Sequence, residues 1–97
     1  MSAKADGAAV MTKDFRVSSK LGFHARPVAA FVKTASRFTC DIFVEKSGVR
    51  VSGKSVISLL LLAAGPGSEL TILARGEDAT QALAELEWLI ENRFGEE

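Results

Sequence analysis

Along this chain the spacing of the apolar residues switches repeatedly between alternation and a three-to-four repeat, and the switches come too quickly for any element to be long. A strand buries every second side chain and a helix every third or fourth, so the period identifies the element. Phe15 and Val17 alternate with polar neighbours over Asp14–Ser18, as in a short strand. Val28, Phe31, Val32 and Ala35 recur at helical spacing over Pro27–Arg37, and Ala29, Ala30, Lys33 and Ser36 take the other face. Two strands are expected next, Cys40–Glu45 and Val49–Ser52, with Ser47-Gly48 as the hairpin turn between them. Ser55 caps a short apolar helix reaching about Ala63, which Gly65-Pro66-Gly67 ends. Glu69–Ala74 places Leu70, Ile72 and Ala74 on one strand face. Asp78, with Gln81 three residues on, has the spacing of a capping box and opens a helix that buries Ala82, Leu83, Leu86, Ile90 and Phe94. The order β-α-β-β-α-β-α predicts one sheet with helices on one face, a two-layer α+β domain.

Length and charge narrow the functional classes. The 97 residues suffice for one domain with a modest core and leave little for a separate catalytic unit. Twelve basic side chains balance twelve acidic ones, which argues against a polyanion binder and hence against a nucleic-acid partner. Cys40 is the only cysteine, so no internal disulfide can form, in keeping with the cytoplasm, and its place on the strand face of Ile42 and Val44 marks it as a core residue. The longest apolar run, Val56–Ala64, is interrupted by Ser58 and is far short of the roughly 20 residues a membrane span needs. Residues 1–11 are expected to be a flexible leader, with Met11 an alternative start, and residues 12–97 the domain.

The chemistry concentrates in Leu21-Gly22-Phe23-His24-Ala25-Arg26-Pro27. Gly22 permits a tight turn. Pro27 fits the first turn of a helix and disfavours helical geometry at Arg26, so His24 is expected just before a helix N-terminus. There the backbone N–H groups of Ala25 and Arg26, the positive end of the helix dipole and the Arg26 guanidinium would together receive an anion. An unprotonated imidazole is a nucleophile, and a phosphoryl group taken up by it would bring its negative charge to those donors. A lone histidine before a helix is also an ordinary surface or capping residue, and spacing by itself leaves that reading open. The only histidine cannot form a multi-histidine metal cluster, and neither metal nor cofactor is expected.

Gly22-Phe23-His24-Ala25-Arg26-Pro27 resembles the active-site motif of the HPr family, the histidine-containing phosphocarriers of the bacterial phosphotransferase system. A second stretch, Gly53-Lys54-Ser55-Val56-Ile57-Ser58-Leu59-Leu60, resembles the family's segment around a regulatory serine, at the right distance from the histidine. The likeness runs from about Thr12 to Glu91. It departs at Phe23, where many members have Ile, Leu or Met, and at Ser58, often Gly. The stretch Ser55–Ala64 looks more like proteobacterial versions, including those of the nitrogen-related branch.

The resemblance implies an open-faced sandwich, a four-stranded antiparallel sheet covered by three helices. It implies that His24 accepts a phosphoryl group on Nδ1 from enzyme I and passes it to an enzyme IIA protein, with no catalysis beyond that transfer. Arg26 would assist and hold the phosphoryl oxygens, and Ser55 would be the target of an HPr kinase/phosphorylase. A monomer is expected. An all-apolar helix in so small a domain must leave part of itself exposed, so Ile57 and Leu60, with Ala29 and Lys33, are the candidate partner-binding residues.

Three alternatives bear on the same residues. Ser55 is equally well placed as a plain helix cap. Gly48-Val49-Arg50-Val51-Ser52-Gly53-Lys54-Ser55 satisfies the G-x-x-x-x-G-K-S phosphate-loop pattern, but Val49–Val51 alternates as a strand does and the chain leaves no room for a nucleotide domain. A small hydrolase of the acylphosphatase type would need a glycine and arginine phosphate loop near the first strand, and none is found. A non-catalytic regulatory module of the same fold stands as the alternative function.

Overall fold

The computed structural model describes residues 10–17, 24–62, 65 and 67–92. The elements follow in the expected order: β1 (Met11–Arg16), α1 (Ala25–Ala35), β2 (Asp41–Lys46), β3 (Val49–Ser52), α2 (Val56–Leu62), β4 (Glu69–Arg75) and α3 (Ala79–Glu91). The leader before Val10, the turn at Gly22 and Phe23, and Ala63, Pro66 and Phe94 lie outside the described residues.

The strands form one sheet in the order β1-β4-β2-β3, every pairing antiparallel. Register sets the layers. Phe15 opposes Leu70, Ile42 opposes Ala74 and Val44 opposes Ile72, so these side chains share the face that the helices cover. Val28, Phe31 and Ala35 of α1, Leu59 of α2, and Ala79, Ala82, Leu83 and Leu86 of α3 complete that core. The opposite face is open and carries cross-strand ion pairs, Arg16 with Glu69 at 2.9 Å and Arg75 with Asp41 at 3.3 Å.

Several boundaries differ from expectation for identifiable reasons. β1 begins at Met11 rather than Asp14, so the last residue assigned to the leader belongs to the sheet. Lys13 hides the alternation because it is a cation on the core-facing side, where its ammonium reaches Glu87 of α3 at 3.0 Å. α1 begins at Ala25, not Pro27, and Arg26 is helical after all. The first intrahelical N–H belongs to Val28, which donates to the His24 carbonyl at 2.9 Å. Pro27 is therefore the third helical residue, still among the positions whose N–H would have no helical acceptor. The bias of a proline against helix at the residue before it is overridden at Arg26.

Asp78 was expected to cap α3 through its side chain. It occupies the N-cap position but makes no capping bond. Its carboxylate instead accepts the backbone N–H of Thr39 and of Cys40, each at 2.9 Å, and the Thr39 hydroxyl at 3.3 Å. This clamp explains why β2 starts at Asp41 rather than Cys40. Gly76 makes it possible: its φ is +142°, and a Cβ there would lie 2.8 Å from that of Cys40. The Thr39 amide first, and then the other donors, hold the Asp78 carboxyl below its ordinary value. Burial, and after it the Asp78 carboxylate alongside, push the Cys40 thiol up to about 11, as suits an inert core cysteine.

Gly53 fixes where α2 begins. Its N–H donates to the Ile42 carbonyl at 2.8 Å. A Cβ at this position would lie 2.7 Å from Ile42 Cγ2 and 3.2 Å from Phe31 Cε1. The bare backbone thus lets the chain entering α2 lie directly on β2 and α1.

Two outcomes are expected. Gly53→Ala should lower unfolding free energy by about 2 kcal/mol, the usual cost of overpacking a filled site, measured by urea titration. Asp78→Asn should destabilise the fold at neutral pH. A carboxyl whose folded pKa is depressed stabilises above its unfolded value of 3.8 and ceases to do so as pH falls through the lower folded value. The stability gap between wild type and Asp78→Asn should therefore close in acid, read from denaturant midpoints across that range.

Candidate functional site

α1 starts where it does because His24 is extended, at φ −101° and ψ −167°, and supplies only its carbonyl to the helix. The imidazole makes no capping bond to the helix. Ala25 and Arg26 follow as the first two helical residues, both exposed, and His24 is half-buried. Their N–H groups precede the first intrahelical donor, that of Val28. Two backbone donors, the helix dipole and a guanidinium are thereby placed next to an imidazole in three consecutive residues, an arrangement chemically suited to an anion carried by the ring. Pro27 and Val28 are buried behind them and hold the helix start against the core.

Ser55 stands at the head of α2 and its Oγ accepts the N–H of Ser58 at 3.1 Å. The capping function read from the sequence is therefore present. The phosphate-loop pattern that overlaps it dissolves into separate structural tasks. Ser47 and Gly48 have φ of +52° and +84° and form a two-residue hairpin turn. Val49–Ser52 is the edge strand β3, paired antiparallel to β2. Gly53 is demanded by packing, and Lys54 Nζ donates to the Phe38 carbonyl at 2.7 Å. The lysine that would meet a phosphate in such a loop is thus committed to main chain.

Of the four expected partner-binding residues, Ala29 and Lys33 are exposed on α1, and Ile57 and Leu60 on α2. The two helices pack against one another. Only Leu59 of α2 is fully buried, while Ile57 is 66% and Leu61 78% exposed. Leu61 is not among the residues expected on this face. Seven consecutive apolar-rich positions give no phase, and only the insertion of Leu59 into the core fixes which side of α2 faces out. Arg37, just past α1, stacks on the Phe38 ring at 5.6 Å and pairs with Glu85 at 3.5 Å, which ties that corner to α3.

Comparison with known proteins places the chain in a family. The family model described as "PTS HPr component phosphorylation site" matches residues 11–92. The phosphocarrier protein HPr of Treponema pallidum is 41% identical over 88 residues, which cover 91% of this chain and all of that one. The crystal structure of HPr from Thermoanaerobacter tengcongensis superposes with a TM-score of 0.86 at 39% identity, covering 90% of this chain and 98% of that one. Crh of Bacillus subtilis, a catabolite repression protein solved as a swapped dimer, is 44% identical with a TM-score of 0.68, covering 80% of this chain and 90% of that one. A relative that swaps into a dimer removes the ground for expecting a monomer from resemblance. The motifs at His24 and Ser55, the open-faced sandwich and these relatives together make the chain a member of the HPr family of phosphotransferase-system phosphocarriers.

Proposed function

We propose that His24 carries a phosphoryl group from the phosphohistidine of enzyme I to a histidine of an enzyme IIA protein, in the cytoplasm. The observation that supports this best is the start of α1. His24 gives the helix its carbonyl without capping it through its side chain, and Ala25 and Arg26 have N–H groups that precede the helical ladder. In the transfer, the lone pair of one ring nitrogen, Nδ1 by family resemblance, forms a new N–P bond. The N–P bond of the donor breaks and its electron pair returns to the donor imidazole. The phosphoryl oxygens then lie beside the Ala25 and Arg26 amides, and the Arg26 guanidinium adds a charge-assisted contact. Because both residues are exposed, these contacts are made in water and stay moderate, as a carrier that must also release its group requires.

Docking of both protein partners would use the exposed face of α1 and α2: Ala29, Lys33, Ile57, Leu60 and Leu61. An apolar patch of this kind rimmed by polar residues suits successive short-lived encounters. Ser55 would regulate it. A phosphate there would add negative charge beside Ile57, and a kinase/phosphorylase acting on Ser55 would thereby weaken docking to enzyme I. The likeness to Crh favours one alternative, a regulatory role of the same fold without phosphotransfer.

Two assays separate these readings. Incubation with phosphoenolpyruvate and enzyme I from the same organism should put acid-labile phosphate on the wild type and none on His24→Ala. A folded wild type that takes no label would leave the regulatory role. Ser55→Asp should lower the enzyme I-dependent rate at limiting carrier by about tenfold, as a misplaced charge at an interface does. Equal rates would remove Ser55 from regulation of that step.

A further inference from the structure

α3 presents to solvent a face unlike the rest of the surface. Trp88 is 64% exposed, although indole is the side chain with most to gain from burial. Gln81, Ala84, Glu85, Glu91 and Asn92 stand three, four or seven residues from it and so share its side of the helix. Gln81, Ala84, Glu85 and Trp88 line a shallow groove. The small Ala84, itself exposed, leaves one face of the indole accessible.

The charge on this helix has one sign. Ala79–Glu91 contains Glu85, Glu87 and Glu91 and no lysine, arginine or histidine. Glu87 on the flank reaches Lys13 at 3.0 Å, and Glu85 on the Trp88 side reaches Arg37 at 3.5 Å, both solvent-accessible pairs that a partner could compete for. Glu91 is exposed. Beyond the helix the sequence adds one arginine and two glutamates. A second copy of the chain would bring like charges together on this face, which disfavours self-association. A cationic partner gains twice, from the carboxylates and from the indole face, which attracts arginine and lysine. Exposed tryptophans set among polar residues are the usual anchors of protein interfaces.

We propose that the outward face of α3, centred on Trp88, docks a basic protein segment that lays an arginine or lysine over the indole and meets Glu85 and Glu91 with further cations. It stands on a different helix from the α1–α2 face and does not depend on the phosphotransfer reading.

Trp88 is the only tryptophan, so its fluorescence reports on this face alone. The intact chain is titrated with a synthetic amphipathic helical peptide of leucine, lysine and arginine, and with the same peptide carrying glutamate in place of the cations. The basic peptide should give a saturable blue shift and the acidic one none. Glu85→Gln/Glu91→Gln should bind the basic peptide about fivefold more weakly, the effect of two exposed charge contacts. Glu45→Gln/Glu69→Gln, which removes the same charge from the open sheet face, should bind it as the wild type does. No saturable shift, equal shifts with both peptides, or equal losses in both double variants would overturn the proposal. So would a concentration-dependent blue shift of the protein alone, which would give the face to a second copy.

Discussion

The close approach at Gly53 is the contact on which the remaining geometry rests. Here the chain passes from the sheet to α2 with no side chain between its backbone and the core, so Ile42 of β2 and Phe31 of α1 meet it directly. Phe31 and Ile42 are both fully buried, and Phe31 belongs to the helix that His24 opens. The start of α2, the flank of α1 and the beginning of β2 are therefore set by one packed site. The histidine at one helix start and the serine at another take their relative positions from a residue that has no chemistry of its own. Cores are close-packed, so a change there transmits to every element that touches it.

Most of the architecture was legible because binary patterning and period agree along the chain. Phe15, Ile42, Val44, Leu70, Ile72 and Ala74 alternate, and the register brings them all to one face. Val28, Phe31 and Ala35 read as one stripe and are one stripe. What was not legible depended on long-range partners. Lys13 looks like a residue that ends a strand until Glu87 is seen opposite its tip. Asp78 has the sequence of a capping box, yet its carboxylate binds two amides some forty positions back in the chain. A local signature states what a side chain can do for its neighbours, and a better-placed distant donor can outbid it. The helix start at Ala25 rather than Pro27 follows the same logic, since the residue that decides it is the acceptor, His24, and not the proline.

The site itself shows why short motifs need a structural frame. Gly48 to Ser55 spells a nucleotide-binding loop, but each of its distinctive residues answers a different structural demand: a turn, a strand, a close approach, a carbonyl and a cap. The His24 segment spells less, but the helix that follows leaves two ordinary amides ahead of its hydrogen-bond ladder. What the segment offers an anion comes from backbone placement more than from side-chain type. A single substitution at Ala25 or Arg26 would leave the amides in place.

A phosphocarrier has to be recognised by proteins on both sides of its transfer, and a small domain has few faces to offer. The open sheet face is laced with ion pairs between neighbouring strands, Arg16 to Glu69, Arg50 to Glu45 and Arg75 to Asp41, which satisfy its charges internally. Apolar exposure is instead concentrated on the helical layer, on α2 at Ile57 and Leu61 and on α3 at Trp88. Those two helices differ in electrostatics: α2 has no charged residue at all, whereas α3 carries three glutamates and no cation. An uncharged apolar patch places few demands on its partner and suits proteins that share only a phosphohistidine. An acidic face with a tryptophan at its centre is selective by charge. The layered fold can therefore hold a permissive surface on α2 and a discriminating one on α3, the two helices that pack on either side of α1, because the sheet beneath fixes both without either having to contribute its outer face to the core.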